Sequence, residues 1–150
     1  MGASLLISHM TLAPEAHQTA AVSTATESRE VPAIPSLRVP ALLLTNGSAG
    51  ISTSGPVRYP PTALPAPISL AAARDPALAA RYGEVEGEGA LDQGRDDVVG
   101  PGINIARVPT NDRTFEAYGE DPYLTGQIGA GDITGIQSQG VPSFTPAKGE

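Results

Sequence analysis

The chain has 150 residues, about one average domain, and its 40% hydrophobic content can bury a core, though two Phe, four Tyr and no Trp leave few large anchors. Nine Lys and Arg against sixteen Asp and Glu give a net charge of -7, which opposes the clustered basic surface that nucleic acid requires. The lack of Cys excludes disulfides, thiolate nucleophiles and Cys-ligated metals, and two His, both near the start, argue against a His-rich metal site. No cofactor is expected.

The first 35 or so residues differ from the rest. Leu5-Leu6-Ile7 is a short apolar patch without a preceding basic residue, a poor match to a secretory leader. No apolar run approaches the roughly 20 residues that span a bilayer. Thr19 to Thr26 is rich in Ala, Ser and Thr, and Val31-Pro-Ala-Ile-Pro35 is held extended by its prolines. Residues 1–35 therefore read as a mobile arm or a vestigial leader, with the arm preferred, and the compartment stays open.

Ordered structure is expected from Leu37. Val39-Pro-Ala-Leu-Leu-Leu-Thr45 is a continuous apolar run closed by Asn46-Gly47, the signature of a strand covered on both faces. Gly47 to Pro67 reads as a long Pro-punctuated loop. Asp75-Pro76 opens a helix, with Asp75 as cap and Pro76 in the first position, and Leu78, Tyr82 and Val85 mark its buried face. Gly87 and Gly89 should weaken it before Gly94. Glu84, Glu86 and Glu88 read as a solvated helix face, with cation binding as the lesser alternative.

Asp97-Val98-Val99 follows as a strand and Gly100-Pro-Gly-Ile-Asn-Ile105 as an extended loop. A second capped helix starts at Asp121-Pro122, buries Leu124, Ile128 and Ile136, and stops before Gly140; Val141 then begins another strand. Strand, helix, strand, helix, strand is the pattern of an α/β protein with right-handed crossovers. No internal repeat is evident.

Four segments in order carry a resemblance. Pro65-Ala-Pro-Ile-Ser-Leu-Ala-Ala-Ala-Arg-Asp-Pro76 is similar to "FPxxxxLAATWDP", and Asp96-Asp-Val-Val-Gly-Pro-Gly-Ile-Asn-Ile-Ala-Arg107 to "DVLLGPGVNIxR". Asp112-Arg-Thr-Phe-Glu-Ala-Tyr-Gly-Glu-Asp-Pro-Tyr-Leu-Thr-Gly126 is similar to "GRNFEYFSEDPYLTG", and Gly135-Ile-Gln-Ser-Gln-Gly-Val141 to "GxQSQGV". Over about residues 33–141 the chain resembles the N-terminal barrel domain of glycoside hydrolase family 3, the β-glucosidase and β-xylosidase family. The resemblance implies a partial (β/α)8 TIM-type barrel, roughly its first half, over residues 36–150. It also implies hydrolysis of terminal β-linked glucosides with retention, by two carboxylates flanking the scissile bond. Sugar contacts are then expected at the C-terminal ends of the strands.

Arg113 matches the arginine of "GRNFE", which in the family hydrogen-bonds sugar hydroxyls; the alternative is an arginine that only pairs with Glu116 or Glu120. Asn46 stands where the family's "DGPxGxR" has a sugar-binding Asp, keeping the shape without the charge, and Ser52 replaces the motif's Arg. The family's Lys-His pair falls at about Pro146-Ala147, so Lys148 is displaced by two positions as the remaining candidate contact. Glu116, Glu120 and Asp121 read as bracing or capping groups rather than as a catalytic pair, and Arg107 as structural. The family nucleophile and acid/base are implied to lie beyond residue 150. The alternatives to an enzyme are a non-catalytic sugar-binding module, a half-barrel completed by a partner or self-associating through open edges, or a reading frame without function. Nucleic acid and membrane partners are not expected.

Overall fold

The computed structural model describes residues 29–52 and 61–145. The chain divides into two compact units, Met1–Leu42 and Leu43–Glu150. In the first, β1 (Arg29–Val31) leads to a single 3-10 turn at Pro35–Leu37. Pro35 enters this turn with its φ already fixed near the helical value, and Arg38 closes it in the left-handed region at φ 54. Ile34 and Val39 then pair back, exchanging N–H to carbonyl bonds of 2.9 and 3.1 Å. Both β1 and the start of the turn fall within the segment expected to form an arm; its residues before Arg29 lie outside the described ones.

β2 (Leu42–Asn46), which starts on the last residue of the first unit, lies in order with β3 (Asp97–Val99) and β4 (Ser143–Phe144) of the second, and the three run parallel. Leu44, Thr45 and Asn46 align with Asp97, Val98 and Val99, and Val98 and Val99 align with Ser143 and Phe144. Parallel neighbours require crossovers, and helices supply both. α1 (Pro67–Ala73) and α2 (Pro76–Asp92) join β2 to β3, and α3 (Pro122–Ser138) joins β3 to β4. The α/β class is as expected. β2 begins later than the apolar run from Val39, and β4 later than Val141, because Pro40 and Pro142 have no N–H to offer a ladder.

Both long helices start as their sequence dictates. Asp75 Oδ1 accepts the amides of Ala77 and Leu78 at 2.9 and 3.2 Å, and Asp121 Oδ1 those of Tyr123 and Leu124 at 2.9 and 3.4 Å. α1 was not foreseen. It is a short Ala-rich turn pair that starts on Pro67 and ends at Arg74, whose left-handed φ of 53 turns the chain so that Asp75 can cap the next helix.

The buried face of α2 departs from expectation. Leu78 is 42% exposed and Val85 half-buried, while Ala79, Tyr82, Gly83, Glu86, Gly87 and Ala90 are buried. The face is made of small residues because α3 packs backbone against backbone there. A Cβ on Gly135 would lie 2.0 Å from the Ala80 carbonyl oxygen, so only glycine fits. From α2, a Cβ on Gly83 would lie 2.0 Å from the Asp132 carbonyl oxygen, and the helix runs on through Gly87 and Gly89 to Asp92.

Contrary to the sequence reading, the chain contains a structural repeat. α2 and α3 each have 17 residues, begin on Asp-Pro and end at Gln-Gly. Ala79, Tyr82, Gly83, Glu86 and Ala90 stand at the same distances from Asp75 as Thr125, Ile128, Gly129, Asp132 and Ile136 do from Asp121, and all ten are buried. The Asp-Pro starts and Gln-Gly ends are visible in the sequence, and the matched burial joins the two stretches into one pattern.

Two apolar clusters result. Leu70, Ala71, Ala79, Tyr82, Tyr118 and Ile128 form one, between α1, α2 and α3; Ile51, Ala90, Val98, Ile136 and Val141 form the other, between the sheet and its helices. Val98 is fully buried at the centre of the sheet, whereas Leu43, Leu44 and Val99 are half-buried and Phe144 is exposed. Complete cover of both sheet faces, expected from the apolar run, is not reached at these positions.

Candidate functional site

Parallel strands deliver their C-terminal ends to one side of the sheet, and here those ends are tied together. The Gly47 amide donates to the Val99 carbonyl at 3.3 Å, the Gly100 amide to the Phe144 carbonyl at 3.0 Å, and the Ser143 hydroxyl to the Gly100 carbonyl at 2.6 Å. Asn46 closes β2 and is exposed at this side. After it the chain forms a hook over Asn46–Ser52: the Ser52 amide donates to the Asn46 carbonyl at 2.9 Å, and the buried Thr45 hydroxyl to the Ser52 carbonyl at 2.9 Å. Ser52, which stands where an arginine was anticipated, is exposed.

The loop after β3 carries Arg113. The Asn111 side chain accepts the Arg113 amide at 2.9 Å, and a 3-10 turn at Thr114–Glu116 follows. Arg113 is exposed, and its guanidinium grips Glu116 with two N–H groups, the Nε bond being 3.0 Å. This ion pair raises the Arg113 pKa, principally through the hydrogen bond to Glu116. The pairing anticipated as the alternative is thus present. It leaves the rest of the donor fork uncommitted to Glu116.

Glu116 is engaged by Arg113, Asp121 caps α3, and Glu120 is exposed, so these three acids do not form a facing pair. Arg107 is exposed, and its amide donates to the Ile105 carbonyl at 2.9 Å. Asn46 and Arg113 follow the C-terminal ends of adjacent strands, where sugar contacts were expected. Lys148 lies outside the described residues.

The run Glu84, Glu86, Glu88 is not a uniform solvated face. Glu84 and Glu88 are exposed, but Glu86 is 1% exposed, as is Asp132. The α-helical turn rotates Glu86 inward, beneath the hook, while its neighbours two residues away rotate outward. Glu86 Oε1 accepts the Gly50 amide at 3.4 Å, and Oε2 has no partner. Burial, and then the neighbouring Asp132, push the Glu86 carboxyl up to about 8, against the pull of the Gly50 N–H. Asp132 is also raised by burial; Tyr118 donates to its Oδ2, and Oδ1 has no partner. Tyr82 and Tyr118 are themselves raised, by burial first and by these carboxyls after it.

Sequence reasoning missed this buried group, although Asp132 offered a signal: it is the one charged residue between Asp121 and Lys148.

Residues 4–146 match the glycosyl hydrolase family 3 N-terminal domain. The chain belongs to glycosyl hydrolase family 3. Among curated relatives, it is 40% identical over 119 residues to the β-glucosidase BoGH3A of Bacteroides ovatus, a match covering 73% of this chain and 16% of that protein. It is 32% identical over 117 residues to an exo-alpha-(1->6)-L-arabinopyranosidase of Bifidobacterium longum, covering 72% and 16%. Among solved structures, β-glucosidase 3B of Thermotoga neapolitana in complex with α-D-glucose superposes with a TM-score of 0.70 at 34% identity, covering 76% of this chain and 17% of that one. The chain thus spans about one sixth of the length of the relatives it matches.

Proposed function

We propose that residues 36–150 form part of the barrel domain of a β-glucosidase-type glycoside hydrolase acting on terminal β-linked glucosides. In this reading the chain contributes the opening strands of a (β/α)8 barrel and one wall of its sugar site, with Arg113, Asn46 and Lys148 as substrate contacts. The observation that carries it is the likeness to a glucose-bound β-glucosidase over three-quarters of the chain, with Asn46 and Arg113 following the ends of adjacent parallel strands.

The chemistry available follows from the residues. Arg113, held by Glu116, offers a positioned cation with donors for adjacent sugar hydroxyls. Asn46 supplies a carbonyl acceptor and an amide donor; without the charge of an aspartate, its bonds to hydroxyls are roughly half as strong. Retaining hydrolysis needs two carboxyl groups about 5 Å apart. In the loop after β3, Glu116 is held by the Arg113 ion pair and Asp121 by capping, which favours a binding role for this segment.

The test pairs glucose binding with hydrolysis of an aryl β-glucoside, using the full chain beside Arg113→Ala. Saturable glucose binding, weakened about tenfold in the variant as befits a lost charged hydrogen bond, with turnover at background in both proteins, is the expected result. No saturable binding by the unaltered chain overturns the assignment of a sugar-contact wall. Turnover that disappears in the variant would place catalysis in this chain itself.

A further inference from the structure

Tyr82 and Glu86 stand four residues apart on α2, so their side chains leave the same helix face one turn from each other. Both reach the hook after β2. The single Tyr82 hydroxyl proton is shared between two carbonyls, those of Ser48 at 2.9 Å and Pro65 at 2.6 Å, and Glu86 accepts the amide of Gly50. The pair is chemically complementary to the backbone it meets, one donor for a carbonyl and one acceptor for an amide, two residues apart along the hook.

From the other side, the Leu64 amide donates to the Ala49 carbonyl at 3.0 Å. Gly50 itself sits at φ 98, and a Cβ there would come within 2.3 Å of the Thr62 carbonyl oxygen. The hook is therefore fixed between α2 and the 61–65 segment by three consecutive residues, Ser48, Ala49 and Gly50. Burial disfavours the charged form of a carboxyl, so a glutamate is a costly choice for holding one amide here. Its presence beside a second buried acid calls for a role that packing alone does not give.

We propose that Tyr82 and Glu86 are positioning residues, a two-pronged clamp that sets the Asn46–Ser52 hook and thereby the presentation of Asn46 to a sugar. The inference rests on the sugar-contact reading for its function, though not for its structure. The titratable groups that meet Glu86 are Tyr82 from α2 itself, Asp132 from α3 and Tyr118 from the segment before α3. The hook contributes none, and β3 contributes only Asp97, at the strand end away from the hook.

The experiment follows the Gly50 amide by NMR in the isotopically labelled full chain. In the unaltered protein, its chemical shift should titrate with a midpoint well above that of an ordinary glutamate, and the titration should vanish in Glu86→Gln while protection of the Gly50 amide from hydrogen exchange persists. Glu86→Ala should speed that exchange about tenfold, the loss of one modest hydrogen bond, with Val98 unaffected. A Gly50 amide indifferent to pH in the unaltered protein overturns the inference without any variant having to fold. Unchanged Gly50 protection in Glu86→Ala and Tyr82→Phe overturns it as well.

Glucose affinity is measured on the same samples. An affinity that falls about tenfold with the loss of Gly50 protection supports the clamp as a determinant of binding. An affinity that stays level while protection is lost overturns that link. If the unaltered chain binds no glucose, the sugar-contact reading fails, and the Gly50 readouts still decide whether the clamp exists.

Discussion

Tyr118→Phe removes the hydroxyl that satisfies Asp132 Oδ2 and leaves a buried carboxyl with neither oxygen partnered. Such a loss costs about 1–3 kcal/mol. The urea midpoint of Tyr118→Phe should fall accordingly, with the slope of the transition unchanged. Asp132→Asn should recover little, because an amide brings donors of its own into the same dry space. This carboxyl was open to discovery from the sequence, as a lone charge in an otherwise neutral helix. Glu86 was not: Glu84 and Glu88 flank it at equal spacing, and only its angular place on a formed helix separates the buried member from the solvated ones. The same limit applies to Arg113, whose type suggested a sugar contact, whereas the partner that holds it, Glu116, was one of two equal choices until the 3-10 turn brought it near.

Helix beginnings were readable because capping is local chemistry. Asp75→Ala and Asp121→Ala should each cost about 1 kcal/mol, and the pair should be close to additive because the caps share no partner. Thermal unfolding of the two single variants and the double variant checks this. The face of α2 was misread for the opposite reason. Counting large apolar residues selects Leu78, Tyr82 and Val85, of which Tyr82 alone is buried, while the closest approach to α3 is made at glycines. Gly135→Ala should accordingly destabilise by more than a cap variant, about 1–3 kcal/mol, since the added methyl meets the Ala80 backbone rather than a side chain that can move. α1 was missed because a seven-residue helix has too few turns to display a period.

At the scale of the whole molecule, the buried acids set how stability responds to pH. A carboxyl whose pKa rises on folding binds its proton more tightly in the native state, so the stability it confers is full below its unfolded pKa and is lost as pH rises through the folded one. For Glu86 that window runs from 4.5 to about 8. The chain should therefore lose stability as pH is raised through this range, and Glu86→Gln should flatten the slope; denaturant melts at several pH values measure both.

The matched burial of α2 and α3 has a consequence for how the chain finds its fold. Two helices with the same start, length, stop and inward face offer a collapsing chain two candidates for one berth. An exchanged arrangement would keep both Asp caps. Among the buried pairs that differ, two carry polar groups that mark their own side: the Tyr82 hydroxyl, with Ile128 as its counterpart, meets the Ser48 and Pro65 carbonyls, and Glu86, one methylene longer than Asp132, reaches Gly50. The polar groups that cost stability in this interior are thus also its labels, telling one copy from the other where the rest of the pattern cannot.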